Sequence, residues 1–245
     1  MAQRPAHHPP LAGQVHRPTS EEVGYIYGST GAVSGFGCRD FYVAAVPRPV
    51  AADIIRTHHY SGSIVQNSYV HLGVYLNGEL VGVLQFGYAL NPHRASVVVS
   101  NTGNTEYLEL NRMWLGESAP RNSESRAIAY AIRYIKRALP QVRWLQSFAD
   151  ERCGRWGVVY QAANFLYVGS HVTEFYELDG EAYHKLLLTA HHKSGTRGPY
   201  LQANLHRAVR RRLRQFRYVF FIKPKYRRDL RLRVQPYPKP PPEDH

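Results

Sequence analysis

The sequence predicts an α+β protein with a mixed, partly parallel sheet and a basic, helical C-terminal extension. Predicted strands and helices follow the order β, α, β-β-β, α, β, α, β-β, so helices alternate with strands only in the middle of the chain. Residues 106–169 carry the clearest pattern, strand–turn–helix twice over, with both turns rich in polar side chains. The extension is indicated by charge, because residues 193–245 hold 15 Lys and Arg against 3 Asp and Glu, whereas residues 1–192 hold 16 against 15.

Length and composition favour one sizeable core with appendages. The chain has 245 residues, 44% of them hydrophobic, and no run of about 18 apolar residues that would span a membrane. Its N-terminus lacks the apolar core of a signal peptide, and its two cysteines have neither disulfide nor zinc spacing. We therefore expect a reduced, cytoplasmic setting without a membrane, and divide the chain into an irregular N-terminal arm (1–40), a central domain (41–192) and the basic extension (193–245).

The first half of the central domain reads as strand, helix and hairpin. Residues 41–46 form a short apolar strand, and residues 50–60 place apolar side chains at helical spacing. Strands at 68–76 and 79–90 are joined by an Asn-Gly pair. Both of these residues tolerate positive φ, so the pair favours a type I′ hairpin turn.

The second half repeats strand and helix before a final hairpin. The predicted elements are a strand at 107–115, a helix from 123 to 139, a strand at 142–149, a helix at 156–165, and strands at 171–178 and 183–189 around an Asp-Gly turn. The helix from 123 to 139 has apolar side chains at i, i+3, i+4, i+7 and i+11 from Ile128, and Pro140 ends it. Ser123 or Ser125 is expected to cap its N-terminus.

The C-terminal extension is expected to be helical and to bind a polyanion. Leu205, Val209, Leu213, Phe216 and Phe220 lie at helical spacing, with arginines on the other faces. Clustered Lys and Arg bind phosphate backbones with strong salt dependence and little sequence information, although a solvated basic face is the alternative. The expected DNA-binding residues are Arg207, Arg210, Arg211, Arg212, Arg214, Arg217, Lys223, Lys225, Arg227 and Arg228.

The turn at 120–127 is a candidate anion site. It lies between a strand and a helix, where free backbone N–H groups and the helix dipole favour negative charge. Side chains that could bind a cofactor there are Arg121, Ser123, Ser125 and Arg126. An ordinary helix start is the alternative.

Polar residues within or at the end of neighbouring strands suggest a cleft. Asn111 and Arg112 interrupt an otherwise apolar strand, which is unusual unless one face is open. Asp150, at the end of the next strand, could act as a general base or simply cap the following helix. Tyr160, on that helix, is either a core residue with a satisfied hydroxyl or a general acid.

The adjacent histidines His58 and His59, together with His71, raise the question of a metal. Adjacent side chains on a helix point about 100° apart, so only one of the pair would face a given site. The metal centre therefore stays open, with His58 and His59 as its candidate ligands.

The strand–turn–helix–strand–helix at 107–169 is similar to the core of GNAT-type acyltransferases. In that superfamily the turn before the central helix binds the pyrophosphate of the acyl donor. Residues 158–169, VVYQAANFLYVG, are similar to its late helix, with Asn164 where Gly is common. The turn RNSESR has Ser and Glu where that superfamily has Gly.

Longer runs are more specific. ELNRMWL, PRNSESRAIAYAIRYIK, SFADERCG, VVYQAANF and FYELDGEAYH resemble the Mom family of DNA-modification proteins of Mu-like phages, over roughly residues 41–190. The resemblance implies a GNAT-like catalytic domain that converts adenine in double-stranded DNA to its carbamoylmethyl derivative and so shields phage DNA from host restriction. It also implies function for Tyr60, Arg112, Ser125, Asp150 and Tyr160.

On this interpretation each residue has a provisional role. Asp150 accepts a proton or orients the amine, Ser125 and Arg112 hold the donor, and Tyr60 and Tyr160 position the base or pass a proton. An acyl-CoA-like thioester, a glycyl group on tRNA and free glycine with metal assistance all remain open as donors. The resemblance also implies an iron requirement. Whether the protein forms a homodimer is left open.

The adenine amine is a weak nucleophile inside the duplex, so the base would be flipped out and stacked on aromatic rings. Trp114, Phe148 and Tyr60 are the candidates. Two other functions remain as alternatives. One is a conventional GNAT N-acyltransferase acting on a protein or small amine, and the other is a non-enzymatic DNA-binding protein.

Overall fold

The computed structural model describes residues 15–88, 95–154, 156–189 and 196–239, and within them ten strands form one sheet. The strands are β1 (Gly24–Tyr27), β2 (Val33–Gly37), β3 (Phe41–Ala45), β4 (Ser68–Leu76), β5 (Glu79–Gly87), β6 (Tyr107–Leu115), β7 (Trp144–Asp150), β8 (Leu166–Leu178), β9 (Glu181–His184) and β10 (Val209–Phe221). Their order across the sheet is β1-β2-β3-β4-β5-β6-β7-β10-β8-β9. Only β6 and β7 pair in parallel, so the predicted mixed sheet is confirmed.

Helices cover parts of both faces of this sheet. They are α1 (Arg48–His58), α2 (Ala95–Val98), α3 (Ser123–Ala138), α4 (Val158–Ala162) and α5 (Arg197–Ala203), with 3-10 turns at Glu151–Cys153, Lys185–Leu188 and Pro224–Asp229. No helix among the described residues is long and apolar enough to cross a membrane.

The two faces of the sheet are distinguished by the alternation of side chains along β5. Leu84 belongs to the main core together with Ile128 and Ile135 of α3. Its neighbour Val83 packs instead with Ile55 of α1. Successive side chains of a strand point to opposite faces, so α3 and α1 cover opposite sides of the sheet.

The parallel strands β6 and β7 diverge part of the way along their length. They pair from Tyr107 with Trp144 to Leu110 with Ser147 and no further. On the other side of β6, the register with β5 shifts so that Asn111 has no partner between Leu110 and Arg112. A bulge of this kind bends the strand and re-aims the next side chain. The fork between β6 and β7 is the feature that positions the site.

The N-terminal arm is more ordered than the sequence indicated. Residues 24–27 and 33–37 form β1 and β2, which extend the sheet beyond β3. The expectation of irregular structure is wrong for these residues. Residues 1–14 lie outside the described part of the chain.

The predicted helix through residues 205–220 is also wrong. Residues 209–221 form strand β10, which pairs antiparallel with β7 on one side and with β8 on the other. In its second half Phe216 and Tyr218 are buried, while Arg217 between them is only partly covered. The conformation of β10 is determined by its hydrogen bonding to the edges of β7 and β8. The spacing of apolar residues along the chain carries no information about these distant strands.

Both predicted hairpin turns are confirmed. Asn77 and Gly78 have φ of 53° and 92°, and Asp179 and Gly180 have 51° and 77°. The predicted cap of α3 is wrong, because Asn122 occupies the N-cap in the left-handed conformation without a side-chain cap bond. The helix predicted at 156–165 is confirmed, but it is shorter than predicted: α4 ends at Ala162, and strand β8 begins at residue 166.

Candidate active site

A cleft of about 2390 Å³ opens on the face of the sheet that carries α1. Its floor is formed by β6, β7 and β10, which contribute Glu109, Arg112, Gln146, Phe148 and Arg217. The strand register explains this grouping, since Glu109 pairs with Gln146 and Arg217 pairs with Phe148. The loop after α1 forms one rim, and β8 with β9 forms the other.

Glu109 lies at the base of the fork between β6 and β7. Its Oε2 accepts a hydrogen bond from Nε2 of Gln146 at 2.8 Å. Burial raises the pKa of the Glu109 carboxyl to about 7, against the opposing effects of the Gln146 hydrogen bond and of Arg217 and Arg112. Glu109 therefore exists in both protonation states near neutral pH. Sequence reasoning missed it, because in an alternating strand it resembles an ordinary solvent-facing residue.

Arg112 is half-buried and ties the rim of the cleft to β6. Its Nε donates to the carbonyl of Ser63 at 3.1 Å, and its Nη1 donates to the carbonyl of Asn111 at 2.7 Å. Burial lowers the pKa of its guanidinium, while Tyr60 and Glu109 favour the charged form. Two of its donor groups thus hold backbone carbonyls, and its positive charge remains next to Glu109.

Asp150 and Arg152 form an ion pair at the end of β7. The Asp150 carboxylate, only 5% exposed, accepts from the Arg152 backbone N–H at 3.0 Å and from its guanidinium at 2.6 to 3.1 Å. The guanidinium lies 5.4 Å from the ring of Tyr60 and 4.6 Å from that of Phe175. Asp150 therefore caps the 3-10 turn, as the structural alternative predicted, and at the same time orients a cation in the cleft.

Tyr60 stands at the rim of the cleft with 60% of its surface exposed. Its ring lies 4.2 Å from that of His59. Tyr160 lies deeper, on α4, where it packs against Phe165 and Tyr218. Tyr160 is not among the residues that line the cleft, although both it and Tyr60 interact electrostatically with Arg112.

The two candidate metal ligands point to different partners. His58 stacks on Trp114 at 4.3 Å. Nδ1 of His59 accepts from the backbone N–H of Ser61 at 3.1 Å, and burial, Arg112 and Arg152 lower the pKa of His59 to about 4. No group of three or more His, Cys, Asp or Glu that could hold a metal occurs among the described residues. The histidine pair thus does not fit a shared iron site.

The turn before α3 lies apart from the cleft. Arg121, Ser123, Ser125 and Arg126 line a separate hollow of about 340 Å³. Ser125 Oγ donates to the carbonyl of Asn122 at 3.0 Å. The guanidinium of Arg126 lies 4.5 Å from the ring of Phe41 in β3. It also donates to the hydroxyl of Tyr130, one turn further along α3. Of the predicted cofactor-binding residues, only Arg112 lines the cleft.

The predicted DNA-binding residues fall into two groups, one that begins just before β10 and runs along it, and one that follows its end. The first basic group consists of Arg207, Arg210, Arg211, Arg212, Arg214 and Arg217, and the second of Lys223, Lys225, Arg227 and Arg228. An extended strand rises about 3.3 Å per residue, so β10 with its 13 residues is about 40 Å long. The two groups do not form the single helical arm that the sequence indicated.

The two basic groups differ in their relation to the cleft. In the first group, Arg207, Arg212 and Arg217 line it directly, whereas none of the four described residues of the second group does. Acidic partners hold three members of the first group, through the ion pairs Arg207–Asp179, Arg210–Glu174 and Arg211–Glu177. Shortly after the second group, the N–H of Arg231 donates to the carbonyl of Val98 in α2, and Val98 lines the cleft.

The sequence model of the Mom protein family matches residues 40–239. A curated relative, "Methylcarbamoylase mom" of Escherichia phage Mu, is 52% identical over 212 residues, which cover 85% of this chain and 88% of the relative.

Similar solved structures include GNAT acetyltransferases. The ribosomal-protein-S5-alanine acetyltransferase of Vibrio fischeri is 10% identical with a TM-score of 0.46, covering 76% of this chain and 96% of its own. An acetyltransferase of the GNAT family from Streptococcus pneumoniae is 13% identical with a TM-score of 0.45, covering 74% and 99%. NAA60 of Arabidopsis thaliana, solved in complex with acetyl-CoA, is 11% identical with a TM-score of 0.46, covering 74% and 99%.

Proposed function

Because this chain belongs to the Mom protein family, we propose that it modifies adenine in double-stranded DNA, placing a carbamoylmethyl group on the exocyclic amine. The phage Mu relative is named as a methylcarbamoylase, and the proposed product would shield phage DNA from host restriction. One structural observation supports the proposal independently of the relative's name. A wide cleft with charged and aromatic side chains is lined by three arginines of the first basic group, Arg207, Arg212 and Arg217, an arrangement suited to a nucleotide held while the phosphates of its duplex are gripped beside it.

The duplex would contact both basic groups at once. The length of β10, about 40 Å, corresponds to about 12 base pairs at 3.4 Å per step. Phosphate contacts of this kind fix orientation and carry no sequence information. The two groups would thus place the duplex across the mouth of the cleft, with the target base above its floor.

The target base would leave the stack, since enzymes that modify a base inside a duplex flip it out. Tyr60 is the best-placed aromatic ring to receive it, because 60% of its surface is exposed. Trp114, which stacks on His58, and Phe148, whose ring lies 5.0 Å from the Arg217 guanidinium, are both only partly exposed. Of the three predicted stacking residues, Tyr60 therefore fits this role.

The proposed product joins the amine to a methylene, so the donor would supply an electrophilic methylene that carries a carboxamide and a leaving group, and an acyl-CoA-like or tRNA-borne donor would have to react at that methylene and not at its carbonyl. The N-terminus of α3 can hold its anionic part, because the first N–H groups of a helix lack partners within it and exposed Arg121 stands beside them. Arg112 and Tyr160 lie near the fork, where they would face the transferred group.

Nucleoside analysis tests the proposal directly. The full chain is expressed in a bacterial host, and mass spectrometry is applied to nucleosides from its plasmid DNA. We expect carbamoylmethyl adenine with the wild-type protein and at least a tenfold loss with Asp150→Ala, because that change releases Arg152. Asp40→Ala, on the exposed surface, is the control and should match wild type.

Each alternative function predicts a different result. A conventional N-acyltransferase binds acetyl-CoA in calorimetry and leaves the nucleosides unchanged. A non-enzymatic DNA-binding protein retains the plasmid without altering it. Wild-type nucleoside levels in the Asp150→Ala variant would exclude an essential role for Asp150.

A further inference from the structure

We propose that Glu109 is the catalytic residue that takes the proton from the reacting amine, whereas Asp150 is a positioning residue that acts through Arg152. The inference rests on the proposed function, since it names the proton acceptor of that reaction. It reverses the expectation from sequence, which gave the proton to Asp150.

The position of Glu109 suits a group that meets both substrates. It pairs with Gln146 one step before the parallel ladder between β6 and β7 ends. Its side chain is on the face that lines the cleft, and it stays partly accessible there. A base entering from the cleft and a donor reaching through the fork would therefore meet beside its carboxyl.

Gln146 can serve Glu109 in both protonation states. Its Nε2 donates to the carboxylate at 2.8 Å, while its own Oε1 is buried without a hydrogen-bond partner among the described atoms. Rotation of the amide by half a turn would present that oxygen to a protonated Glu109, which would then be the donor. The pair can thus hold the proton and release it without leaving the carboxyl unpaired.

Asp150 is poorly suited to accept a proton. Oδ1 accepts from the backbone N–H and Nε of Arg152, and Oδ2 accepts from Nε and Nη2 of the same residue. A carboxylate held in this bidentate manner has its lone pairs directed at the guanidinium. Its effect on the cleft is to fix Arg152 between the rings of Tyr60 and Phe175.

The acid–base properties of Glu109 agree with this role. A carboxyl with a pKa of about 7 is a stronger base than an ordinary carboxylate, and it remains half ionised at neutral pH. Arg112 and Arg217 favour the ionised form and thereby keep the base available.

The step balances as a simple transfer. The amine nitrogen forms a bond to the methylene carbon of a donor X–CH2–C(O)NH2, and the bond from that methylene to the leaving group X breaks with its electron pair. The proton lost by nitrogen passes to the Glu109 carboxylate. It then passes to the leaving group, which restores Glu109.

The test measures how the rate depends on pH. Purified full-length protein is incubated with plasmid DNA and a clarified bacterial extract, which supplies the donor, and modified adenine is followed by mass spectrometry between about pH 5.5 and 8.5. Wild type should gain rate as pH rises through about 7. Glu109→Gln should lose about a hundredfold in rate together with that pH dependence, and Glu109→Asp should restore part of the rate with a shifted midpoint.

Two further variants separate the roles. Glu106→Gln, on the same chain segment but paired with Arg143 outside the cleft, should behave as wild type. Asp150→Asn should lower the rate and keep the wild-type midpoint, as a positioning residue does.

A Glu109→Gln rate within threefold of wild type, with the same midpoint, overturns the inference and leaves the proposed function intact. Wild-type protein that produces no modified adenine overturns both. If Glu109→Gln does not fold, Glu109→Asp decides, because an unchanged midpoint in that variant also refutes Glu109 as the base.

Discussion

Replacing Glu109 with Gln should change how the stability of the protein depends on pH. In the folded protein burial raises the pKa of this carboxyl from 4.5 to about 7. Between those values the folded state keeps a proton that the unfolded chain has released, so the free energy of unfolding falls as pH rises and levels off above 7. A glutamine carries no such proton and removes this contribution.

The size of the effect follows from the two pKa values. One pKa unit corresponds to about 1.36 kcal/mol, so the shift of Glu109 costs about 3 kcal/mol of stability at alkaline pH, most of which develops between pH 5 and pH 8. Wild type should therefore lose about 2 to 3 kcal/mol more than the variant over this interval. At pH 8 the variant should be the more stable protein.

Urea unfolding of both proteins at the two pH values measures this difference, with the slope checked for constancy. Glu106→Gln serves as a matched control, since its partly buried pair with Arg143 lies outside the cleft and its replacement should leave the drop unchanged. Wild type and Glu109→Gln with the same pH dependence, to within about 0.5 kcal/mol, would refute the reasoning, because the carboxyl would then titrate at its ordinary value.

Two further predictions concern the scaffold and the basic surface. Gly157→Ala should lower the free energy of unfolding by about 2–4 kcal/mol in urea titrations, because its φ is 84° and a Cβ would lie 2.5 Å from the ring of Tyr218. Gly154→Ala is the control: its φ is 67° but a Cβ there would meet open space, so the change should lower the free energy of unfolding by only about 1 kcal/mol. Arg212→Ala should reduce the slope of log affinity against log salt by about 0.9 in fluorescence anisotropy with duplex DNA. Arg39→Ala should leave the slope unchanged, and equal slopes for both variants would contradict the proposed interface.

Local signals in the sequence predicted the elements that are determined locally. The Asn-Gly turn fixes the β4–β5 hairpin through positive φ at two residues, and the apolar stripe from Ile128 fixes α3. Strand β10 was misread because Leu213, Phe216 and Phe220 fit a helical spacing. Its conformation depends on pairing with β7 and β8, which lie far away in the sequence.

The site was predictable only in part, for a similar reason. Arg112, Asp150 and Tyr60 do line one cleft, as their positions near strand and helix ends suggested, whereas Ser125 lies in a separate hollow. Glu109 escaped notice because its pKa is set by burial and not by residue type. Which face of β6 becomes the cleft is decided by the neighbours that β7 and β10 supply, and no local pattern encodes them.

The place of β10 in the sheet also constrains when the protein can fold. The strand that separates β7 from β8 is the last of the ten to be synthesised, so the sheet cannot close until residues 209–221 have left the ribosome. Until then the nascent chain exposes two unpaired strand edges, which are prone to aggregation. A variant that lacks residues 193–245 would keep those edges permanently. Such a deletion would report on sheet assembly, and point substitutions of the arginines are the appropriate probe of DNA affinity.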